Sequence, residues 1–408
     1  MGKEKEFLAM WRSIDGRVES LKNIDFRCDH QVNVDFVQTL PVDELSAHLG
    51  DFVRCVEVFL AKRTGASFLE QMIPTDFVSL FNTPAYLKFY KDMHDLNDLN
   101  PAYPFIPSSD KNKKLFILHL FTSSFSLAIL FGNRDDMSVW YEKTPLLLYY
   151  AACYLFFDYV FDDSTISVDV KKKVVKYVRA IFESKDAVEA TDDPILVTVN
   201  NIFALLFKFD KAAHPELYQA LLDVFNAEAV SAKVQNFQGE RPAEVDLDEL
   251  FYHTLVKSRE TFNALWNVLG VDYKSDARYE VVMNHFGLVT QMVDDFNDVE
   301  ADVAENTITP FSYAFIYETG DAYFVEQAVK LVQYVFNLKT ELKTLGLKEL
   351  SDRNVDTVFA FFLLALNYAI AKYPVLTKAL AEYEYLFPFP FEFFESVRAL
   401  LDALSLET

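Results

Sequence analysis

The chain has little glycine and proline for its length, and this shortage argues against a fold rich in tight turns. Its 408 residues include 10 glycines and 14 prolines, and the prolines are scattered rather than clustered. All-β folds need many turns, which these residue types supply best. Apolar and polar residues do not alternate over long stretches, so we expect no extended sheet.

Cysteine is also scarce, and its placement predicts neither a metal site nor a disulfide framework. Cys28, Cys55 and Cys153 form no Cys-x-x-Cys pair and no cluster with histidine. Isolated cysteines in odd number are typical of reduced thiols. The first residues also show no apolar signal-peptide core, so we expect a cytoplasmic protein.

Acidic residues outnumber basic residues, and the formal net charge is −23. Nucleic-acid binding requires basic surfaces that displace counterions, so we expect no nucleic-acid partner. Residues 115–132 carry no formal charge, but they include His119 and four hydroxyl side chains. We therefore expect a buried helix there rather than a membrane span.

Helical periodicity is the dominant pattern that is present. Apolar residues recur at three- and four-residue spacing over residues 43–62, 112–132, 145–163, 169–184, 215–237, 247–269, 277–303, 320–344 and 354–373. The sequence thus predicts an all-α protein built as a single large helical bundle. Residues 1–110 are predicted to form a helical extension packed on the main bundle at 111–408. The 39 phenylalanines and 21 tyrosines fit either a large core or an aromatic-lined cavity.

The first unusual segment is YLFFDYVFDD, residues 154–163, in which three aspartates end an uncharged apolar run. On a helix Asp162 lies about 40° from Asp158, whereas Asp163 lies about 140° away. Asp158 and Asp162 therefore form a pair on one face, and Asp163 points elsewhere. Tyr159, at about 100°, is also off that face.

A second acidic segment, QMVDDFNDVEADVAEN, occupies residues 291–306. With Asp294 at zero, Asp298, Asp302 and Glu305 fall within about 80° of it if the helix runs that far. Asp295 lies outside this stripe. Like charges at such spacing repel, and no lysine or arginine stands nearby on either face. A solvated acidic surface is one explanation; Mg²⁺, which binds carboxylates together with phosphate oxygens, is the other and the one we favour.

These segments resemble the class I isoprenoid synthase superfamily, the prenyl diphosphate synthases and related terpene synthases, over roughly residues 110–345. FFDYVFDDS is similar to the first DDxxD motif, with Tyr159 in place of its second aspartate. QMVDDFNDVEAD is similar to the second motif, including Gln291 before it. YHTLVKSRETF, residues 252–262, resembles the segment whose lysine contacts diphosphate, which points to Lys257 with Arg259 as a neighbouring candidate.

The resemblance implies that residues 111–408 form a catalytic domain, a helical bundle with an active-site cavity in its core. It also implies three Mg²⁺ ions (with Mn²⁺ as an alternative) and a prenyl diphosphate substrate such as farnesyl or geranylgeranyl diphosphate. It also allows for a homodimer. The implied metal ligands are Asp158, Asp162, Asp294, Asp298, Asp302 and Glu305. A second register through Asn297 and Glu305 would place Ala301, which cannot ligate, at its middle position. The remaining residues associated with the motifs are Asp163, Gln291, Asp295 and Asn297, and the candidate pocket aromatics are Phe156, Phe157, Phe262, Trp266 and Phe286.

Departures from the family pattern bear on the reaction. Prenyl diphosphate synthases usually follow the first motif with an arginine pair that helps bind isopentenyl diphosphate, but this chain continues TISVDVKKK. We therefore expect a terpene synthase that ionises one C15 or C20 allylic diphosphate. The alternatives are a prenyltransferase that uses Lys111, Lys113 or Lys114 for the second diphosphate, and a helical scaffold without catalysis.

Overall fold

The computed structural model describes residues 3–28, scattered positions between 84 and 95, most of 150–183, and then 192–206, 215–235, 244–269, 276–347 and most of 350–394. These residues are largely helical and contain no β-strand, which confirms the all-α prediction for the described part of the chain. In chain order their α-helices are α1 Lys3–Ser13, α2 Val168–Glu183, α3 Pro194–Leu206, α4 Pro215–Gln235, α5 Leu247–Leu269, α6 Ala277–Asn297, α7 Val299–Glu305, α8 Tyr313–Ile316, α9 Asp321–Thr344, α10 Asp352–Ala371 and α11 Pro374–Ala379.

The predicted helix bounds are confirmed most closely where the apolar pattern is long. The bounds of α5 are those predicted, and α2, α4, α9 and α10 differ from prediction by two residues or fewer at each end. The helix predicted over 277–303 is interrupted at Asp298, and α1 and α3 were not predicted. The helices predicted at 43–62 and 112–132 lie outside the described residues.

Contacts divide the chain into two compact units. The central unit comprises Asp76–Gly287 and Glu305–Thr307, and the terminal unit comprises Met1–Thr75, Leu288–Ala304 and Ile308–Thr408. The predicted boundary at residue 110 stays a prediction, because residues 96–149 lie outside the described part of the chain.

In the central unit, α4 packs along α5, while α2 packs against α3 and α4. Aromatic side chains fill the space between them, and the Phe157 and Phe225 rings meet at 4.8 Å. The middle of α6 approaches α5 closely at Gly287, where a Cβ atom would stand 3.2 Å from the backbone oxygen of Ser258. This glycine therefore lets α5, which carries Lys257 and Arg259, pack tightly in the unit.

In the terminal unit, α9 is the central helix and contacts α8, α10 and α11. Residues near the N-terminus pack on it: the Trp11 ring meets Tyr334 edge to face at 5.9 Å, and Gln333 donates to the backbone oxygen of Asp15. The aromatic residues after the 3₁₀ helix Ala381–Leu386 form a packed turn, since Phe387, Phe389, Phe391 and Phe394 are buried. None of the described helices is long and apolar enough to cross a membrane.

Candidate active site

The described residues between 150 and 161 are helical, and this helical stretch carries Asp158 of the first acidic segment between side chains of the core. Phe156, Phe157, Val160 and Phe161 are buried, and Asp158 is half-buried. The described apolar side chains next to Asp158 are therefore part of the core of the central unit. Asp162 and Tyr159 lie outside the described residues, so the predicted Asp158 and Asp162 pair stays a prediction.

Asp163, predicted to point away from that pair, caps the turn that follows the helical stretch. Its Oδ1 accepts hydrogen bonds from the Thr165 backbone nitrogen at 2.8 Å and from the Thr165 hydroxyl at 2.6 Å. This is the local Asx-turn arrangement that aspartate commonly makes at helix boundaries. In this structure the residue has a structural use that requires no metal.

Lys257 on α5 brings a positive charge to Asp158 from 99 positions further along the chain. Its Nζ lies 2.9 Å from Asp158 Oδ1 and 3.0 Å from Glu228 Oε2. The lysine is 7% exposed and Glu228 is 3% exposed, so the contacts are largely shielded from water. The resemblance assigned Lys257 and Asp158 to one site, and the fold places them in direct contact.

This contact also changes the electrostatic argument made from the sequence. The lack of a nearby lysine or arginine suggested that a metal ion must balance the Asp158 charge. The fold itself supplies a cation, because α5 carries Lys257 to the aspartate. Asp158 therefore has a counter-charge without a metal, and the metal prediction rests on the resemblance and on the remaining carboxylates.

Glu228 was missed in the sequence. It lies on α4 within NAEAVSAK, and its neighbours Phe225, Ala227 and Ala229 are buried. A carboxylate on the buried side of a helix is costly unless it is paired, so it is seldom found there without a cationic partner. The sequence did contain a signal for it. Glu228 lies three residues after Phe225 and four after Val224, and this spacing places a carboxylate on the apolar face of a predicted helix.

An aromatic cavity of about 20 Å³ adjoins Glu228 in the central unit. Its walls come from the helical stretch at 150–161 and from α2, α3 and α4, namely Tyr150, Cys153, Tyr154, Phe157, Phe182, Phe203, Leu221, Val224, Phe225 and Glu228. About one water molecule fits such a volume. This cavity is therefore too small to hold a prenyl chain in the conformation observed.

Two groups on the cavity wall are kept neutral by their surroundings. Burial raises the pKa of the Tyr150 phenol well above its usual value, and the nearby Glu228 charge adds to the effect. The Tyr150 hydroxyl donates to the backbone oxygen of Thr261 at 2.9 Å. Burial raises the pKa of the Cys153 thiol to about 12. The wall thus combines apolar surface with protonated polar groups.

The five candidate pocket aromatics are all buried, but four of them do not line the small cavity. Phe157 lines the small cavity. Phe262 and Phe286 contact each other edge to face at 5.0 Å, and Trp266 packs on Tyr279 at 5.2 Å. These contacts are those of ordinary core packing.

Arg259, the second candidate for diphosphate binding, pairs with its neighbour on α5. Its Nη2 lies 2.5 Å from Glu260 Oε1, and Glu260 Oε2 accepts from Asn263 at 3.2 Å. The nearby Asp223 carboxyl on α4 has a raised pKa, mainly because of burial. Arg259 is half-buried in this cluster, whereas Lys257 is the cation that reaches Asp158.

The second acidic segment spans the end of α6 and all of α7. Helical spacing continues across the break, since Asp298 N donates to Asp294 O at 3.0 Å and Asp302 N donates to Asp298 O at 2.8 Å. Asp294, Asp298 and Glu305 are exposed, and Asp302 is half-buried. The predicted stripe thus faces solvent for most of its length, as either a solvated acidic surface or an accessible ligand set would.

The neighbouring motif residues have structural contacts. Asp295 is buried and accepts from the Gln291 amide at 2.9 Å. Asn297 donates its side-chain amide to Val293 O at 2.8 Å, and its own backbone oxygen accepts from Lys372 Nζ at 2.7 Å. These contacts hold the end of α6 in place, where the helix is interrupted.

Asp302 receives a hydrogen bond from the loop that follows α7. Thr309 Oγ1 donates to Asp302 Oδ2 at 3.2 Å, and the buried Ser312 backbone nitrogen donates to the same hydroxyl at 3.1 Å. Asn306 ends α7 with φ of 59°, in the left-handed region that asparagine tolerates. The loop thereby returns to orient one carboxylate of the stripe.

The donor chemistry of the acidic segments fits Mg²⁺, which takes carboxylate oxygens and keeps several water ligands. The described residues contain no group of three or more His, Cys, Asp or Glu side chains close enough to hold a metal ion, and Asp162 is outside that set. Comparisons with protein-family models, with curated proteins and with solved structures gave no match.

Proposed function

We propose that this protein is a class I terpene synthase that ionises a C15 or C20 allylic prenyl diphosphate and converts the resulting carbocation to a terpene. The observation that carries the proposal is the contact between Asp158 and Lys257 at 2.9 Å. The residues are remote in sequence, and the resemblance assigns them to one site through two different segments. Their contact supports a shared diphosphate site.

The chain's own groups have distinct roles in this proposal. The Lys257 ammonium would donate hydrogen bonds to the diphosphate oxygens and stabilise the charge that develops as the carbon–oxygen bond breaks. Its burial strengthens this effect, because a charge shielded from water acts over a lower dielectric. Arg259 is the neighbouring candidate for the same task.

Metal ions would be held by Asp158 and Asp162 in the first segment, and by Asp294, Asp298 and Asp302 in the second, with Glu305 as an additional ligand. Bound Mg²⁺ supplies Lewis acidity and neutralises the departing diphosphate. The exposure of Asp294 and Asp298 leaves their oxygens accessible for such a role.

The fate of the carbocation depends on excluding water. Aromatic faces stabilise cations without acting as bases, and the surroundings of Asp158 are rich in buried phenylalanine. The absence of an arginine pair after the first motif favours a lyase over a chain-elongating prenyltransferase. We expect the enzyme to be cytoplasmic, and gel filtration will test whether it forms a homodimer.

Incubation with C10, C15 and C20 allylic diphosphates and Mg²⁺, with and without isopentenyl diphosphate, tests the proposal. We expect pyrophosphate release together with a hydrocarbon or alcohol, identified by gas chromatography and mass spectrometry. The Asp158→Asn variant should lose activity, while Asp169→Asn, which changes an exposed carboxylate on α2, should keep it. A chain-elongated diphosphate would indicate a transferase, and no pyrophosphate release from any substrate would refute both enzymes.

A further inference from the structure

Glu228 occupies a position that neither the motif pattern nor the resemblance explains. It lies on α4, is 3% exposed, and places Oε2 3.0 Å from Lys257 Nζ. Burying a carboxylate among aromatic side chains is unfavourable unless the charge is paired. An apolar residue would fill this part of α4 at lower cost, so the carboxylate is best explained by what it does for Lys257.

Asp158 alone would be a poor anchor for the lysine if the proposed function is correct. Its carboxylate is then required both as the acceptor for Lys257 and as a metal ligand. A divalent cation is the largest local charge where it binds, and it would weaken the attraction between Asp158 and the ammonium. A buried ammonium without another anion nearby would be strongly destabilised.

Glu228 meets this need because it is more deeply buried than Asp158 and approaches the same nitrogen from another helix. A lysine ammonium has three N–H donors, so it can bond to both carboxylates at the same time. Together, the two carboxylates and one ammonium carry a single net negative charge. This charge favours binding of a cation first, and an anion is favoured only after that cation is bound.

We propose that Glu228 is a positioning residue that fixes the Lys257 ammonium whether or not Asp158 is engaged by another cation. This inference rests on the proposed function for its use in diphosphate binding. Glu228 itself needs no contact with substrate or metal, because it acts through the position of Lys257.

Nuclear magnetic resonance of the full chain, labelled with ¹⁵N at the lysine side-chain nitrogens, tests the positioning directly. An ammonium held by buried hydrogen bonds exchanges its protons slowly enough to give a resolved signal, and Lys257→Arg identifies it by removing it. We expect the signal to persist in Asp158→Asn and to be lost in Glu228→Gln. Glu249→Gln, which removes an exposed carboxylate from α5, is the matched control. A signal that persists in Glu228→Gln would overturn the proposal, whatever the activity.

Binding of inorganic pyrophosphate with Mg²⁺, measured by calorimetry, tests the use of that position. We expect Glu228→Gln to weaken binding about tenfold, as loss of a hydrogen bond to a charged group implies, and Glu249→Gln to leave it unchanged. Unchanged binding in Glu228→Gln would overturn the role in ligand binding. If the unaltered protein binds no pyrophosphate and releases none from substrate, the proposed function fails, and the ammonium signal still decides the positioning role by itself.

Folding of the variants is checked by circular dichroism before either measurement. If Glu228→Gln does not fold, Glu228→Asp provides the comparison, because it keeps the charge and withdraws it by one methylene. We then expect a weakened ammonium signal and weaker pyrophosphate binding. An unchanged ammonium signal in Glu228→Asp would show that Lys257 is held without the longer side chain, and would overturn the proposal that the length of glutamate is required.

Discussion

The two acidic segments share the same four-residue aspartate spacing but differ in their surroundings. Asp158 is half-buried and contacts a buried lysine, whereas Asp294 and Asp298 are exposed. Breaking a buried ion pair is strongly destabilising, while surface charges contribute little to folding. We therefore expect the first segment to influence both stability and activity, and the second to influence activity with little effect on stability.

Lys257→Met should have the largest effect on stability. The substitution leaves Asp158 and Glu228 without the ammonium they share, and loss of one partner from a buried pair typically costs about 3–5 kcal/mol in the free energy of unfolding. Urea denaturation measures it. The control is Lys172→Met, since Lys172 and Asp169 form an exposed pair at 3.9 Å and about 1 kcal/mol or less is expected. Equal losses in both variants would remove the contrast between buried and exposed charge.

Asp298→Asn should separate activity from stability in the second segment. Because Asp298 is exposed, the free energy of unfolding should change by about 0.5 kcal/mol or less. Turnover of the allylic diphosphate should nevertheless fall about a hundredfold, the scale on which a group that stabilises transition-state charge acts. Glu300→Gln, an exposed change off the stripe, should keep turnover. Full activity in Asp298→Asn would identify the stripe as a solvated surface.

Thr309→Val probes Asp302, the most enclosed of the four carboxylates in the predicted stripe. The hydroxyl donates to Asp302 and accepts from the Ser312 backbone, so its removal leaves buried polar groups unsatisfied. We expect a loss of about 1–3 kcal/mol in the free energy of unfolding. The exposed Thr319→Val should change it by less than about 0.5 kcal/mol. A neutral Thr309→Val would mean that Asp302 behaves like its exposed neighbours.

The smallest expected effect concerns Cys153. The reactivity of its thiol reports on whether water reaches the surroundings of the first segment. Its pKa of about 12 keeps the thiol protonated at pH 8, and only the thiolate reacts readily. In a Cys55→Ser background we expect native Cys153 to resist a thiol reagent until urea unfolds the chain, while half-buried Cys28 reacts sooner. Reaction of both at similar rates would show that water reaches the cavity wall.

The contrast between α5 and α6 shows where sequence patterns are sufficient. The bounds of α5 could be predicted because a long apolar periodicity and first-turn acids specify them locally. The interruption at Asp298 could not be predicted, because the apolar periodicity continues through it. The contact from Lys372 to Asn297 comes from the residue that follows α10, which is distant in sequence. α3 was missed even though the sequence marks its start: Pro194 is its first residue, and Asp193 accepts from Ile195 N at 3.0 Å.

Some features of the candidate site could likewise be predicted from the sequence, and others could not. The aspartate spacing, and through resemblance Lys257, could be read from local sequence, since the intervals along a helix fix which side chains share a face. Glu228 could not be assigned, because its role depends on the packing of α4 against α5. Resemblance gave no counterpart for it, and a single acid in an apolar run does not identify its partner.

The sequence by itself therefore determined the helical class, most helix bounds and the spacing of the acidic side chains, because these follow from periodicities within one helix. Only the tertiary structure decided which charges are buried and what they contact. It gave Asp158 a lysine partner, placed Asp295 inside and Asp294 outside, and reduced the cavity beside Glu228 to about 20 Å³. Burial and pairing depend on helices distant in sequence, and these set the cost of each charge.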